Sequence, residues 1–202
     1  MTKVFNNLTD KELISMINNG AVGVIPTDTI YGLVALAGNK KAANKVLMIK
    51  GRKNKPGTLI ASDLGQLVEL GIKRRYLKAV EQFWPGAVSV ILPVPANLDY
   101  LHGGLMTLPV RVTDNKKLLK LLNKIGPIIT TSANLPDQKP AENIDEAKKY
   151  FGDNVDFYVD GGQVSSGPPS TIIRIIDDAI EIVRQGAVEV TERGIKQSKS
   201  DD

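Results

Sequence analysis

The chain has 202 residues, with 42% apolar residues, 24% charged residues and a formal net charge of +4, an ordinary composition for a globular protein. The absence of cysteine excludes a disulfide framework and thiolate chemistry. No secretory signal and no membrane-spanning stretch of roughly 20 apolar residues is visible, so we expect a cytoplasmic protein without a membrane partner.

Helix and strand patterns alternate along the chain. The first helix is predicted between Thr9 and Gly20, because Thr9 and Glu12 form a capping-box pattern ahead of apolar residues at helical spacing. Apolar runs and helical periodicity predict the other elements. The predicted strands are residues 22–25, 58–61, 87–94, 108–112, 127–133, 155–159, 171–176 and 179–185, and the further predicted helices are residues 42–50, 63–70, 75–83, 115–123 and 142–151.

This interleaving of strands and helices predicts an α/β fold with a largely buried sheet. The sequence contains no internal repeat, low-complexity block or linker composition. We therefore expect one domain over residues 1–190, followed by a polar, frayed C-terminal tail over residues 191–202.

A cluster of hydrogen-bonding side chains interrupts the apolar stretch VIPTDTIYGL at residues 24–33. Thr27, Asp28, Thr29 and Tyr31 either cap a turn or line a site at the end of a strand. If the segment is extended, Thr27, Thr29 and Tyr31 share one face, because side chains alternate along a strand.

A run of cations without acidic residues lies between Asp28 and Asp63, and its densest part is KGRKNKPG. It is either the solvated C-terminal end of a helix or an anion site in which Lys50 and Arg52 contact phosphate. It is not a Walker A loop, because that pattern does not occur in the chain.

Four more features mark possible site residues. Thr130 to Asn134 follow an apolar run, and Ser170 and Arg184 flank predicted strands. Arg111 is the one charge in the strand LPVRV, and a buried arginine needs an anionic partner, either a ligand or a structural carboxylate such as Asp114. His102 lies in a glycine-rich loop and is predicted to be a surface residue.

Seven motifs occur in order over residues 9–190: PTDTIYGL, KGRKNKP, WPGAVSVIL, LPVRV, TTSAN, PPSTIIRI and IVRQGAV. Together they resemble the YrdC-type L-threonylcarbamoyladenylate synthase family in its single-domain form. The resemblance implies a twisted mixed sheet flanked by helices, with a basic concave face. After Ser-Ala-Asn the family usually continues with Ser-Gly, whereas this chain has Leu-Pro-Asp-Gln at residues 135–138, so this loop is expected to close differently over the nucleotide.

The resemblance also implies a nucleotidyltransferase reaction, in which L-threonine, bicarbonate and ATP give threonylcarbamoyl-AMP and pyrophosphate. Partner proteins then transfer the threonylcarbamoyl group to the adenosine beside the anticodon of tRNAs that read ANN codons. Mg²⁺ is expected on the ATP phosphates, without a dedicated protein metal site.

Site roles follow from the resemblance, position by position. Lys50 and Arg52 are the expected catalytic residues, acting through charge neutralisation. The expected ATP-binding residues are Lys50, Arg52, Asn54, Thr107, Asn134 and Arg184. The expected threonine-binding residues are Thr27, Thr29, Tyr31, Arg111, Ser132 and Ser170.

Two alternative functions compete with the synthase interpretation. One is a non-catalytic protein that binds tRNA or double-stranded RNA through phosphate contacts alone. It does not require Arg111, Ser132 and Asn134 to converge. The other is a carbamoyl-adenylate-handling domain of hydrogenase-maturation proteins, which is embedded in much longer chains.

Overall fold

The computed structural model describes residues 2–51, 55–164 and 167–196. Its strands are β1 (Lys3–Phe5), β2 (Gly23–Pro26), β3 (Tyr31–Leu36), β4 (Thr58–Ala61), β5 (Val88–Pro93), β6 (Thr107–Val112), β7 (Ile128–Ser132), β8 (Phe157–Val159), β9 (Thr171–Ile176), β10 (Ala179–Arg184), β11 (Val190–Thr191) and β12 (Gly194–Ile195). Its α-helices are α1 (Lys11–Asn18), α2 (Lys40–Ile49), α3 (Leu64–Glu69), α4 (Arg74–Lys78), α5 (Asp99–His102), α6 (Lys116–Ile125) and α7 (Ile144–Phe151).

Ten strands form one mixed sheet in the order β1-β8-β2-β3-β7-β4-β6-β5-β9-β10. The pairs β1–β8, β8–β2, β4–β6 and β5–β9 are parallel, and the other neighbouring pairs are antiparallel. The prediction of an α/β fold built on a mixed sheet with flanking helices is therefore confirmed.

Apolar cores lie on both faces of this sheet, because successive strand residues point to opposite faces. On one face, helices α1 and α6 cover Ile25, Ile60 and Ile128 with leucines and isoleucines of their own. The other face packs against α2 to α5 and α7, with Leu59 and Val110 among its strand residues. None of the helices in the described part of the chain has the length and apolar character that a bilayer crossing requires.

The α1/α6 core covers only half of its face. Its described strand residues come from β1, β2, β3, β4, β7 and β8. On β6, Leu108, Val110 and Val112 pack into the core on the opposite face, so alternation turns Pro109 and Arg111 toward the half that α1 and α6 leave open. We call this surface the open half.

Several local expectations need correction. Helix α1 is capped by Asp10 rather than Thr9, because the Asp10 carboxylate accepts hydrogen bonds from the Glu12 and Leu13 N–H groups. His102 is buried instead of exposed. Its Nδ1 accepts hydrogen bonds from the backbone N–H groups of Gly104 and Met106.

Two parts of the sheet and the start of the tail also differ from expectation. β1 and β3 were not predicted, because β1 has only three residues and β3 begins inside the polar motif. β11 and β12 form a small antiparallel hairpin, and Val190 is buried in the core, so the expected frayed tail begins with regular structure. Residues 197–202 lie outside the described residues.

Candidate functional site

A polar cleft of about 160 Å³ lies on the open half of the sheet. Segments far apart in sequence form it, namely the β2–β3 turn, the start of β4, and strands β6, β7, β9 and β10. The predicted site residues that line it are Thr27, Thr29, Arg111, Ser132, Ser170 and Arg184. The fold thus brings six of the proposed positions to one surface.

The β2–β3 turn presents the first two of these residues. Pro26 pairs with Tyr31, and the Thr27 N–H and hydroxyl both donate to the Ile30 carbonyl, at 3.2 and 2.6 Å. The segment is therefore not extended, because these bonds close a tight turn, which is one of the two alternatives that the sequence left open. Thr27 and Thr29 nevertheless both line the cleft, with their hydroxyl oxygens 3.4 Å apart.

Tyr31 points elsewhere and is fully buried. Its hydroxyl donates to the Gly162 carbonyl at 2.8 Å and accepts from the Gly161 N–H at 2.9 Å. Burial raises the pKa of Tyr31, the Gly161 hydrogen bond opposes that shift, and nearby Asp160 adds to it. In this structure the side chain fastens the loop after β8 and does not line the cleft.

Close backbone packing shapes the cleft floor at Gly32. A Cβ on this residue would lie 2.5 Å from the Thr130 hydroxyl and 3.1 Å from the Thr27 methyl group. A larger residue would push Thr27 and Thr130 apart, so glycine is required for these two cleft residues to sit side by side.

Arg111 forms a buried ion pair with Asp28. Its Nη2 donates to Asp28 Oδ1 at 2.5 Å, and each side chain is only 4% exposed. The hydrogen-bonded carboxylate is therefore Asp28, although Asp114 was the structural alternative considered from the sequence. Burial lowers the pKa of the Arg111 guanidinium, while Asp28 and then Asp114 oppose that shift.

The pair leaves hydrogen-bonding capacity unused. Asp28 Oδ2 and Arg111 Nε are buried without a partner, and the hydroxyl of cleft residue Thr130 is in the same state. Buried polar atoms normally have partners, so unpartnered atoms at one site are typical of a place that is completed by a ligand or water.

Lys50 lies behind the cleft wall and is 1% exposed. Its ammonium donates to the Ser132 carbonyl at 2.7 Å, to the Asn134 carbonyl at 2.5 Å and to the Asn134 side-chain oxygen. Ser132 Oγ also donates to Asn134 Oδ1 at 2.6 Å. This network joins the end of α2 to the end of β7 and places a cation directly behind Ser132.

Ser170 and Arg184 close the cleft on the β9–β10 side. Arg184 Nη2 donates to the Ser170 carbonyl at 2.7 Å, and the Ser170 hydroxyl lies 3.0 Å from the Ser89 hydroxyl. Ser89 received no role from the sequence, because a single serine inside an apolar run gives no signal of its own.

The remaining predicted positions are placed differently. Thr107 begins β6 opposite Pro93 and does not line the cleft. Arg52 and Asn54 lie outside the described residues. Conversely, Pro56, Gly57 and Thr58 line the cleft at the start of β4 and received no role from the sequence.

The cleft offers few ligands to a metal ion. No group of three or more histidine, cysteine, aspartate or glutamate residues suited to a metal occurs within residues 2–51, 55–164 and 167–196. Asp28, whose carboxylate pairs with cleft residue Arg111, is buried in that ion pair.

Comparisons with known proteins agree with one another. The family model Sua5/YciO/YrdC, described as "Telomere recombination", matches residues 15–186. A threonylcarbamoyl-AMP synthase of Idiomarina loihiensis is 34% identical over 173 residues, covering 82% of this chain and 92% of the relative.

Two solved structures share the fold. The crystal structure of E. coli YciO aligns with a TM-score of 0.79 and 26% identity, covering 95% of this chain and 99% of that one. The P. abyssi Sua5 structure complexed with L-threonine also aligns with a TM-score of 0.79 and 26% identity. That alignment covers 94% of this chain but only 58% of the P. abyssi protein.

Proposed function

The chain belongs to the Sua5/YciO/YrdC family, and from this premise we infer that it is an enzyme that synthesises threonylcarbamoyl-AMP from L-threonine, bicarbonate and ATP. The observation that carries the inference is the convergence of Arg111, Arg184 and four predicted hydroxyl side chains on one cleft, in a chain whose relatives are named as synthases.

The cleft suits a small polar amino acid. Arg111 provides a fixed cation for the threonine carboxylate, because Asp28 already holds the guanidinium in place. Thr27, Thr29 and Ser170 offer hydroxyl groups for the remaining polar atoms of the substrate. The P. abyssi relative is complexed with L-threonine, which supports this assignment.

The reaction joins anionic partners, so positioning and charge neutralisation carry most of the rate. The threonine nitrogen loses a proton and bonds to the carbon of carbon dioxide, or to that of bicarbonate with loss of a water molecule, which gives a carbamate. A carbamate oxygen then bonds to the α-phosphorus of ATP, and the bond to pyrophosphate breaks. Arg184 lines the cleft, where its guanidinium offsets phosphate charge, and Lys50 adds positive charge from behind Ser132.

We assign Mg²⁺ to the phosphates of the incoming nucleotide, where it offsets their charge. The chain's own part is to hold the amino acid and the phosphates in line. Arg52 and Asn54 keep their proposed nucleotide roles. The product passes to tRNA-modifying partner proteins that act on tRNAs reading ANN codons. Nothing in the described structure or in the relatives reported above favours the alternative of RNA binding without catalysis.

Pyrophosphate release tests the proposal directly. The purified protein is incubated with ATP and Mg²⁺, with and without L-threonine and bicarbonate. We expect release to require both co-substrates, and serine to support it much less than threonine. Absence of release from protein shown to be folded by circular dichroism would overturn the proposed reaction.

A lysine pair tests the contribution of positive charge at the cleft. Lys50→Ala should lower kcat/KM for ATP by about 10²-fold or more, the usual cost of removing one stabilising donor. Lys40→Ala is the matched control, since Lys40 is exposed and its contacts are a surface ion pair with Asp99 and a contact over the Tyr100 ring. Equal effects of the two substitutions would contradict a specific role for Lys50.

A further inference from the structure

One buried serine lies beneath the polar cleft without lining it. Ser89 is the one polar side chain of β5, it is 0% exposed, and it is absent from the cleft wall. Its neighbours Val88 and Val90 pack into the core on the opposite face, so alternation turns the Ser89 side chain toward the open half. Burying a hydroxyl group costs free energy unless the group is hydrogen-bonded, so the contacts of Ser89 indicate why a serine is present.

The strands on either side of β5 both contribute residues to the cleft. Ser89 pairs with Ile172 of β9, and Ile172 lines the cleft. On the other side, Val90 pairs with Val110 of β6 in antiparallel register, so the next position places Ser89 beside Arg111. Ser89 therefore lies under the cleft floor, between the buried cation of β6 and the β9 wall.

The contact that Ser89 makes has a defined direction. Among the described residues its one hydrogen-bond partner is the hydroxyl of Ser170, at 3.0 Å. If Ser170 donated this bond, the Ser89 proton would lie in the protein interior without an acceptor, which carries the desolvation cost of an unpaired donor. Ser89 therefore donates the bond and Ser170 accepts it.

The main chain around Ser170 is fixed by other contacts. Arg184 Nη2 donates to the Ser170 carbonyl at 2.7 Å. The next residue, Thr171, donates its N–H to the Ala87 carbonyl at 3.0 Å. Rotation of the hydroxyl group is the freedom that these bonds leave to Ser170, and the bond from Ser89 restricts that rotation.

The direction of the bond determines what Ser170 can bind. A serine hydroxyl has one proton to donate and two lone pairs that accept. Ser89 occupies an acceptor site of Ser170, and the Ser170 proton has no acceptor among the described residues. Because Ser170 lines the cleft, a ligand oxygen can accept this proton, whereas an ammonium group at the same place would leave it unpaired.

We propose that Ser89 is a positioning residue for the proposed reaction, because it holds Ser170 as a hydrogen-bond donor to an oxygen atom of the amino-acid substrate. The proposal rests on the proposed function, since it requires an amino acid in the cleft. The carboxylate and the side-chain hydroxyl of threonine both supply such an oxygen. A purely structural role of Ser89 would change stability without changing the affinity for threonine.

Removal of the Ser89 hydroxyl tests the positioning role. Ser89→Ala should weaken L-threonine binding, measured by calorimetry, about tenfold, as expected for one hydrogen bond, and should leave the KM for ATP unchanged. Ser89→Thr keeps a hydroxyl and should retain most of the affinity. Ser62→Ala is the matched control, because Ser62 is also buried and its hydroxyl donates to Asp63 outside the cleft. Unchanged threonine affinity in folded Ser89→Ala, or an equal loss in Ser62→Ala, would overturn the role.

A double-mutant cycle tests whether Ser89 acts through Ser170. Ser170→Ala should weaken threonine binding at least as much as Ser89→Ala does. In the Ser170→Ala background, Ser89→Ala should cause no further loss, because residues that act as one unit are not additive. Additive losses in the double variant would show that Ser89 acts by another route and would overturn the positioning role.

L-valine identifies the oxygen that Ser170 contacts. Valine has the shape and the carboxylate of threonine but lacks the side-chain hydroxyl. If Ser89→Ala weakens the binding of both amino acids, the contact is with the carboxylate. A loss confined to threonine assigns the contact to the side-chain hydroxyl. A loss for neither amino acid contradicts the proposal.

The calorimetric measurement separates this inference from the proposed function. Threonine binding that responds to Ser89→Ala, and not additively with Ser170→Ala, supports the inference even if no pyrophosphate is released. Threonine-dependent pyrophosphate release whose KM for threonine does not respond to Ser89→Ala would leave the enzyme in place and overturn the role of Ser89.

Discussion

The two halves of one sheet face differ sharply in their chemistry. Under α1 and α6, Ile25, Ile60 and Ile128 point into a buried apolar core. In the open half, Arg111, Thr130 and Ser132 occupy the same face. On β7 the change occurs within a single strand, since Ile128, Thr130 and Ser132 alternate onto one face.

The distribution of unpartnered polar atoms extends this comparison. Among the described residues, four buried side-chain atoms lack a hydrogen-bond partner, and three of them belong to Asp28, Arg111 and Thr130. The fourth is Nε2 of His102, which lies on α5 in the core of the other face. In the covered half apolar packing leaves no polar atom without a partner among the described residues, whereas the open half keeps unpartnered polar atoms that a ligand can contact.

Removing Asp28 should have the largest effect on stability. Asp28→Ala leaves the buried Arg111 guanidinium without its counter-ion, so we expect the free energy of unfolding to fall by about 3–5 kcal/mol. Urea unfolding followed by Trp84 fluorescence measures it. The double variant Asp28→Ala/Arg111→Met should recover much of the loss, because no buried charge remains. A loss below about 1 kcal/mol in the single variant would contradict the buried pair.

Leu121→Ala should destabilise the core under α1 and α6 and should leave substrate binding in the open half unchanged. Leu121 is fully buried on α6, so truncation should cost about 2–5 kcal/mol of unfolding free energy. The KM values for ATP and threonine should stay unchanged in folded protein. Leu119→Ala on the same helix is the control with a smaller cost, since Leu119 is partly exposed. A large change in either KM would show that the two halves are not separable.

Asp63 lies in neither half of this sheet face, so its substitution provides a reference for the stability effects above. It caps α3 by accepting a hydrogen bond from the Gln66 N–H, so Asp63→Ala should cost about 1 kcal/mol at pH 7. The same bond, and then one from Ser62, lower the pKa of Asp63.

The sign of the pH effect follows from that direction. A lowered folded-state pKa contributes stability above the unfolded pKa of about 3.9, and this stability is lost as pH falls through the folded value. Asp63→Asn keeps a capping oxygen but not the charge, so its stability difference from the wild type should shrink below about pH 4. A difference that grows on acidification would contradict the assignment.

Thr130→Val should have the smallest effect on stability. The Thr130 hydroxyl is buried without a partner, so replacing it with a methyl group should change the unfolding free energy by less than about 0.5 kcal/mol, or stabilise the fold. Thr113→Val is the matched control, because the Thr113 hydroxyl accepts a hydrogen bond from the Asn115 N–H and its loss should cost about 1 kcal/mol. If Thr130→Val also lowers threonine-dependent turnover, the hydroxyl serves the ligand rather than the fold.

Much of the fold followed from local patterns. The strands at residues 58–61 and 171–176 have the predicted bounds, because apolar β-branched runs ended by polar residues determine a strand locally. β3 was missed because its first residues belong to a motif that carries mostly turn-forming side chains. β1 was missed because three residues are too few to show a periodicity.

The sequence predicted part of the lining of the candidate site but not the contacts within it. The order of polar motifs identified Thr27, Thr29, Arg111, Ser132 and Ser170, and the structure brings all five to one cleft. The hydrogen bond between the Ser89 and Ser170 hydroxyls was not anticipated, because a single serine inside an apolar run gives no local signal of its partner.

The sequence by itself determined which face of β6 carries Arg111, since alternation with Leu108, Val110 and Val112 leaves the guanidinium no other direction. Only the tertiary structure decided its partner. Asp28 lies 83 residues away in the β2–β3 turn, and it reaches Arg111 although β3, β7 and β4 lie between β2 and β6 in the sheet. Lys50 and Ser132 meet across 82 residues in the same way. Local periodicity determines the direction of a side chain, whereas strand order determines what it meets.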